Sequence, residues 1–119
     1  MKVVVRVTSN FSKRAKSLIK KFPSLVNELG SLEKDLADNP QLGTPLGSDS
    51  YKIRLSIKSK GKGKSGGAIV ITHVDAELVG AVEKSKDGII TIYLLTIYDK
   101  SETASISTKE LKELIKSKG

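Results

Sequence analysis

Lys52 and Arg54 are the residues whose spacing most directly suggests chemistry. Over 51–58, Tyr51, Ile53, Leu55 and Ile57 alternate with Lys52, Arg54, Ser56 and Lys58. This is the cleanest alternation in the chain, and it predicts a half-buried strand with a cationic outer face. Two cations two residues apart on one face suit a phosphodiester under attack. Arg54 can hold two non-bridging oxygens at once, and crowding among lysines favours the neutral amine that a base needs. RNA brings its own 2′-hydroxyl nucleophile, so such a reaction needs no metal. The plainer reading is that these cations bind an anion without cutting it. The next segment, 59–67, is a flexible loop in which Lys60, Lys62 and Lys64 are spaced by Gly61 and Gly63. Backbone N–H groups and lysines in such a loop suit a phosphate clamp. Gly63-Lys64-Ser65 matches the end of the Walker pattern, but its first glycine would fall on Lys58. Residues 68–74 read as a strand, so the helix N-terminus of a true P-loop is missing.

The remaining chemistry is sparse. There is one histidine, His73, and no cysteine. A two-histidine acid/base pair, a thiol nucleophile and a Cys-based zinc site are therefore excluded, and no metal or other cofactor is expected. Alternation puts His73 on the face shared by Ile69 and Ile71. A lone strand histidine usually packs, yet His73 stays a candidate acid/base. Asp75/Glu77 and Glu33/Asp35 are simple acidic pairs with no histidine beside them, and they read as solvated.

The elements that must position these residues are set by periodicity. Val3, Val5 and Val7 alternate with Lys2, Arg6 and Thr8, which predicts a first strand. Asn10 offers an N-cap. Phe11, Ala15, Leu18, Ile19 and Phe22 then recur at helical spacing, opposite Lys13, Arg14, Lys16 and Lys20. After Pro23, a second helix runs from Ser24 to about residue 37, with Leu25, Leu29, Leu32 and Leu36 as one stripe. Residues 39–50 are dense in turn formers and read as a loop. Strands are expected at 51–58, 68–74 and 89–98, the last apolar on both faces and hence central. Segment 75–88 is less regular; it extends the preceding strand past a bulge near Ala76 and ends in an Asp87-Gly88 hairpin turn. Ser107 and Glu110 form a capping box that opens a final helix with Leu111, Leu114 and Ile115 on its apolar side. The order β-α-α-β-β-β-α predicts one α+β domain over 1–119. A helical hairpin covers one face of a largely antiparallel sheet, and the other face carries Lys52 and Arg54 and stays partly open.

Composition sets the frame. The 119 residues carry 21 Lys+Arg against 13 Asp+Glu, a formal charge of +8. Residues 1–21 and 52–64 hold thirteen of those cations and no acid. Such a balance favours polyanions as partners. Only five aromatics are present, so base stacking is poorly supported. No apolar run approaches the ~18 residues of a membrane span, and Arg6 interrupts the N-terminal apolar stretch, so no signal peptide is expected. The expected location is cytoplasmic.

Taken together, these segments resemble a known family. Tyr51-Lys52-Ile53-Arg54-Leu55, the 59–67 loop and Leu94-Leu95-Thr96-Ile97-Tyr98-Asp99-Lys100-Ser101-Glu102 are similar to the RelE/HigB group of type II toxins. So are Phe11 with Lys13-Arg14-Ala15-Lys16, Lys21-Phe22-Pro23-Ser24-Leu25, and Asn39-Pro40 with Gly43-Thr44-Pro45-Leu46-Gly47. The resemblance implies a small RelE-like α+β fold and metal-independent cleavage of mRNA on the translating ribosome. It also implies a cognate antitoxin protein. Lys52 and Arg54 match the family's two basic strand positions, and Lys100 matches a C-terminal basic residue that contacts substrate. Lys58, Lys60, Lys62 and Lys64 fall where RNA is expected. Two departures stand out. The family commonly has an Arg about two residues after the Gly-Gly pair, where this chain has Ile69, and Ile106 falls near a late aromatic. They motivate a second reading, a catalytically impaired homologue that binds RNA or the ribosome. ParE-type toxins share the fold and inhibit DNA gyrase, which is a third.

Overall fold

The structure, a computed structural model, describes residues 2–58, 67–75, 89–102 and 105–118. Its elements are β1 (Lys2–Val7), α1 (Ser9–Lys21), α2 (Leu25–Asp38), β2 (Thr44–Gly47), β3 (Ser50–Ser56), β4 (Gly67–Val74), β5 (Ile89–Asp99) and α3 (Thr108–Lys116). The strands form one sheet in the order β1-β5-β4-β3-β2. β1 pairs with β5 in parallel, and every other pairing among the described residues is antiparallel. The architecture is the expected α+β arrangement with one more strand. Residues 44–47, expected as loop, pair with β3 instead. A strand there tolerates Pro45 because it lies at the sheet edge, where a missing N–H leaves no ladder bond unmade.

The tight turn from β2 to β3 explains why its sequence looks like loop. Gly47, Ser48 and Asp49 all have positive φ, at 89°, 53° and 54°. Two consecutive left-handed residues give the backbone twist that a two-residue hairpin needs. The Val74 N–H donates to the Asp49 carbonyl at 2.8 Å, which ties this turn to the end of β4. Gly43, at φ 107°, precedes β2, and a Cβ there would meet the Lys52 carbonyl oxygen at 2.5 Å. Only glycine fits that approach.

The strand alternations sort the side chains as expected. Tyr51, Ile53, Leu55 and Ile57 join the cluster built on Phe11, Ala15, Leu18, Leu25, Leu32 and Leu36 of the helical hairpin. On the opposite face Ile69, Ile71, Leu95 and Tyr98 pack with Leu111 of α3, flanked by Leu114 and Ile115. The β4–β5 register shifts between Ile71 and Thr72, whose partners are Thr96 and Leu94. Leu95 is the extra residue of this bulge, and it is fully buried on the α3 side.

The bulge also overturns the expected cap of α1. The cap is Thr8, not Asn10: its Oγ1 accepts from the Phe11 N–H at 3.2 Å. The same hydroxyl points its proton at the Leu94 and Leu95 carbonyls, at 2.9 and 3.0 Å. Thr8 thus serves a helix end and a strand irregularity together, which an exposed Asn10 cannot do. Arg14, expected on the solvent face of α1, donates from Nε to the Ile97 carbonyl at 2.9 Å. At the other end of the chain, Ser107 and Glu110 form the expected capping box. The expected bulge near Ala76 and the Asp87-Gly88 turn lie outside the described residues.

Candidate nucleic-acid interface

The register across β3, β4 and β5 sets the spacing of the candidate residues. Ser50 lies opposite His73, Lys52 opposite Ile71, and Arg54 opposite Ile69. On the next strand, Tyr93 faces His73 and Tyr98 faces Ile69. All of these side chains share the α3 face of the sheet. Lys52 is half-buried and Arg54 exposed. At the β3 edge both also line a groove of about 620 Å³ that opens toward α2, with Leu32, Asp35, Gly43, Thr44 and Leu55. The groove exists because β2 stops short: its pairing with β3 ends at Lys52. Beyond that point β3 is an open edge, and Arg54 stands beside it.

Lys100 comes just after β5, and its N–H donates to the Gly67 carbonyl at 3.1 Å. Gly67 pairs with Ser56, so Lys100 lies two strands from Ser56, about 10 Å at the usual strand spacing. The fold therefore brings Arg54 and Lys100 to the same end of the sheet face. His73 belongs to the other end. Four residues of strand separate its row from that of Arg54, about 13 Å. The expected grouping of His73 with Arg54 and Lys100 is thus split by the register.

Lys58 lies past the end of the strand that carries Lys52 and Arg54. β3 ends at Ser56, and Lys58 lines a groove of about 330 Å³ along α2 with Glu28 and Asp35. Its N–H donates to Glu28 Oε2 at 3.0 Å. A carboxylate on α2 thus fixes the backbone just past the end of the strand, while Ile57 stays buried on the hairpin side. Lys60, Lys62 and Lys64 lie outside the described residues.

Ile69, the position where the resembling family carries Arg, is 1% exposed. It packs with Tyr98 and Leu111 under α3. Ile106, near the family's late aromatic, packs against the same cluster. This end of the face is therefore an apolar layer, with its cations on the rim. Tyr98 adds a polar anomaly to that layer: its hydroxyl is buried and has no hydrogen-bond partner among the described residues. Burial, then the nearby Glu110 carboxylate, raises the phenol above its ordinary value.

Sequence reasoning missed several groups around His73. Ser50 Oγ lies 3.1 Å from His73 Nδ1. The Lys118 ammonium sits over the Tyr93 ring, 5.5 Å from its centre, and the His73 ring lies 6.4 Å from that of Tyr93. Parity alone would have put Ser50 on the face of Lys52. Its partner, however, depends on the β3–β4 register, which 51–58 does not reveal. Among the described residues no helix is long and apolar enough to cross a membrane.

No family model matches the chain.

Proposed function

We propose that this chain is the toxin of a type II toxin–antitoxin pair of the RelE/HigB kind. In this reading it is a cytoplasmic, metal-independent endoribonuclease that cleaves mRNA on the translating ribosome and is silenced by a cognate antitoxin. The observation that carries it is that Lys52 and Arg54, two residues apart on β3, both line one open groove at the uncovered edge of that strand. Arg54 is exposed and carries a planar fork of donors that matches two phosphate oxygens. Lys100 supplies a second cation at the same end of the face. The chemistry is an attack by the RNA's own 2′-oxygen on the adjacent phosphorus, giving a 2′,3′-cyclic phosphate as the P–O5′ bond breaks and the 5′-oxygen takes a proton from water. Arg54 and Lys100 offset the charge that grows on the non-bridging oxygens. In this reading Lys52, half-buried on the same strand, is the group that receives the 2′-hydroxyl proton.

The test is 5′-end mapping of RNA after purified protein is added to a translating extract, with naked RNA beside it. New ends inside codons of translated messages are expected. Arg54→Ala should reduce them by about 100-fold with an unchanged thermal midpoint. Undiminished cleavage by that variant overturns the site assignment.

The burial of Ile69 favours a second reading, a homologue that binds RNA or the ribosome without cutting. An Arg at this position would place a guanidinium in an apolar layer at considerable cost. Ile69→Arg is therefore a poor reversion, because the packing around residue 69 would have to change with it. The binding-only reading predicts salt-dependent association and no new RNA ends.

A further inference from the structure

The single histidine lies where the nuclease reading does not use it. His73 is 9% exposed. Its Nδ1 is 3.1 Å from Ser50 Oγ, and that hydroxyl is 3.2 Å from the Ser48 carbonyl oxygen. A hydroxyl has one proton to give. The arrangement that satisfies all three groups has His73 Nδ1–H donating to Ser50 and Ser50 donating to Ser48. Nε2 then keeps a free lone pair. Ser48 belongs to the hairpin turn with two consecutive non-glycine residues at positive φ.

Ser48 and His73 floor a cavity of about 440 Å³, whose walls come from α3. Lys109, Lys112 and Lys116 stand around it with Glu113, an excess of two positive charges (three ammoniums less one carboxylate). Ile115 supplies an apolar wall. The volume falls within the range of small-molecule sites, about 300–1,000 Å³, and exceeds what a bare ion fills. A phosphomonoester carries about −1.5 to −2 charges near neutral pH, which matches that excess better than a single carboxylate does.

We infer that this cavity binds a phosphomonoester, with the phosphate among the three lysines, the organic body against Ile115, and His73 taking up a proton on binding. The electrostatics agree. Burial, then the Lys118 ammonium, holds the imidazole below its ordinary value, against the pull of the Ser48 carbonyl, Asp49 and Asp75. The free protein therefore keeps His73 neutral near neutral pH. The other ionisable groups facing it are Tyr93 on β5 and the α3 lysines with Glu113. A dianion entering the cavity offsets the field of the lysines, favours the imidazolium, and turns Nε2 into a donor.

Because His73 is the only histidine, its Cε1 proton is an unambiguous NMR reporter. The experiment is a pH titration of that resonance with adenosine monophosphate, inorganic phosphate or adenosine. Saturating adenosine monophosphate should move the midpoint upward by about one unit, while adenosine leaves it in place. Lys112→Gln, a surface change, should weaken nucleotide binding about tenfold. Calorimetry in buffers of different ionisation heat should show proton uptake in the native chain and less of it in His73→Gln. Absence of any midpoint movement at about millimolar nucleotide overturns the site. Equal affinity for inorganic phosphate and the nucleotide overturns the role given to the organic body. Arg54→Ala should respond like the native chain. Loss of the response in that variant would place the phosphate at the RNA face and overturn the inference, whatever the fate of the nuclease reading.

Discussion

Among the described residues, fifteen buried side chains form one cluster on the helical-hairpin side of the sheet, and five form another under α3. The two sides share β3, β4 and β5, so the difference lies in what covers them. α1 and α2 lay full apolar stripes on the sheet. α3 has nine residues and buries only Leu111 outright. The hairpin side is therefore where most of the folding free energy resides. The α3 side keeps Lys52, Arg54 and His73 within reach of solvent or a cavity. Stability and chemistry have been assigned to opposite faces of the same strands, which lets the second face tolerate polar groups that a core would reject.

The sharpest way to break this division is to damage the deep side. Leu36 is fully buried on α2, and Leu36→Ala should cost about 3 kcal/mol in urea unfolding. A loss under about 1 kcal/mol would show that the hairpin does not anchor the fold. Leu111→Ala should cost less, about 2 kcal/mol. It should release α3 first, read as faster amide exchange over residues 108–116 while β4 stays protected. Tyr98→Phe tests the shallow side in the other direction. Removing a buried hydroxyl that has no partner among the described residues should raise stability by about 1 kcal/mol; a decrease of that size would reveal a hydrogen bond that the hydroxyl makes in solution.

The smallest effect is in pH. The folded chain holds His73 below its ordinary value, so the unfolded chain takes up the proton first. Stability is then complete above about pH 6.5 and falls as pH drops through the range below it. His73→Gln should flatten that part of the melting-temperature profile. An unchanged profile would mean that the imidazole is not desolvated by α3.

What the sequence disclosed depended on range. The sidedness of 51–57, the Ser107–Glu110 box and the leucine stripe of α2 are local periodicities, and the structure repeats them. Thr8 as the cap of α1 was illegible, because its reason is a pair of carbonyls 86 and 87 residues away. β2 was hidden by its own turn chemistry: Pro45, Gly47, Ser48 and Asp49 look like loop because the hairpin demands them. For the candidate site, alternation placed Lys52 and Arg54 together on one face. The separation of His73 from Arg54 needed the register, and the anchoring of Lys58 needed Glu28. The α3 lysines carry no local signal of a site, because Ser48 and His73, which line the same cavity, come from distant strands and turns.

The parallel pairing of β1 with β5 has a consequence for how the chain is made. β1 leaves the ribosome first, yet its one neighbour among the described strands is the last of them to appear. Until residue 99 or so has emerged, α1 has no β5 to cover and Thr8 has no carbonyls to bind. Native order in this sheet is thus withheld from a growing chain until β5 has emerged, and then β1 and β5 close together. Interrupted products are expected to be prey for proteases rather than partly working proteins.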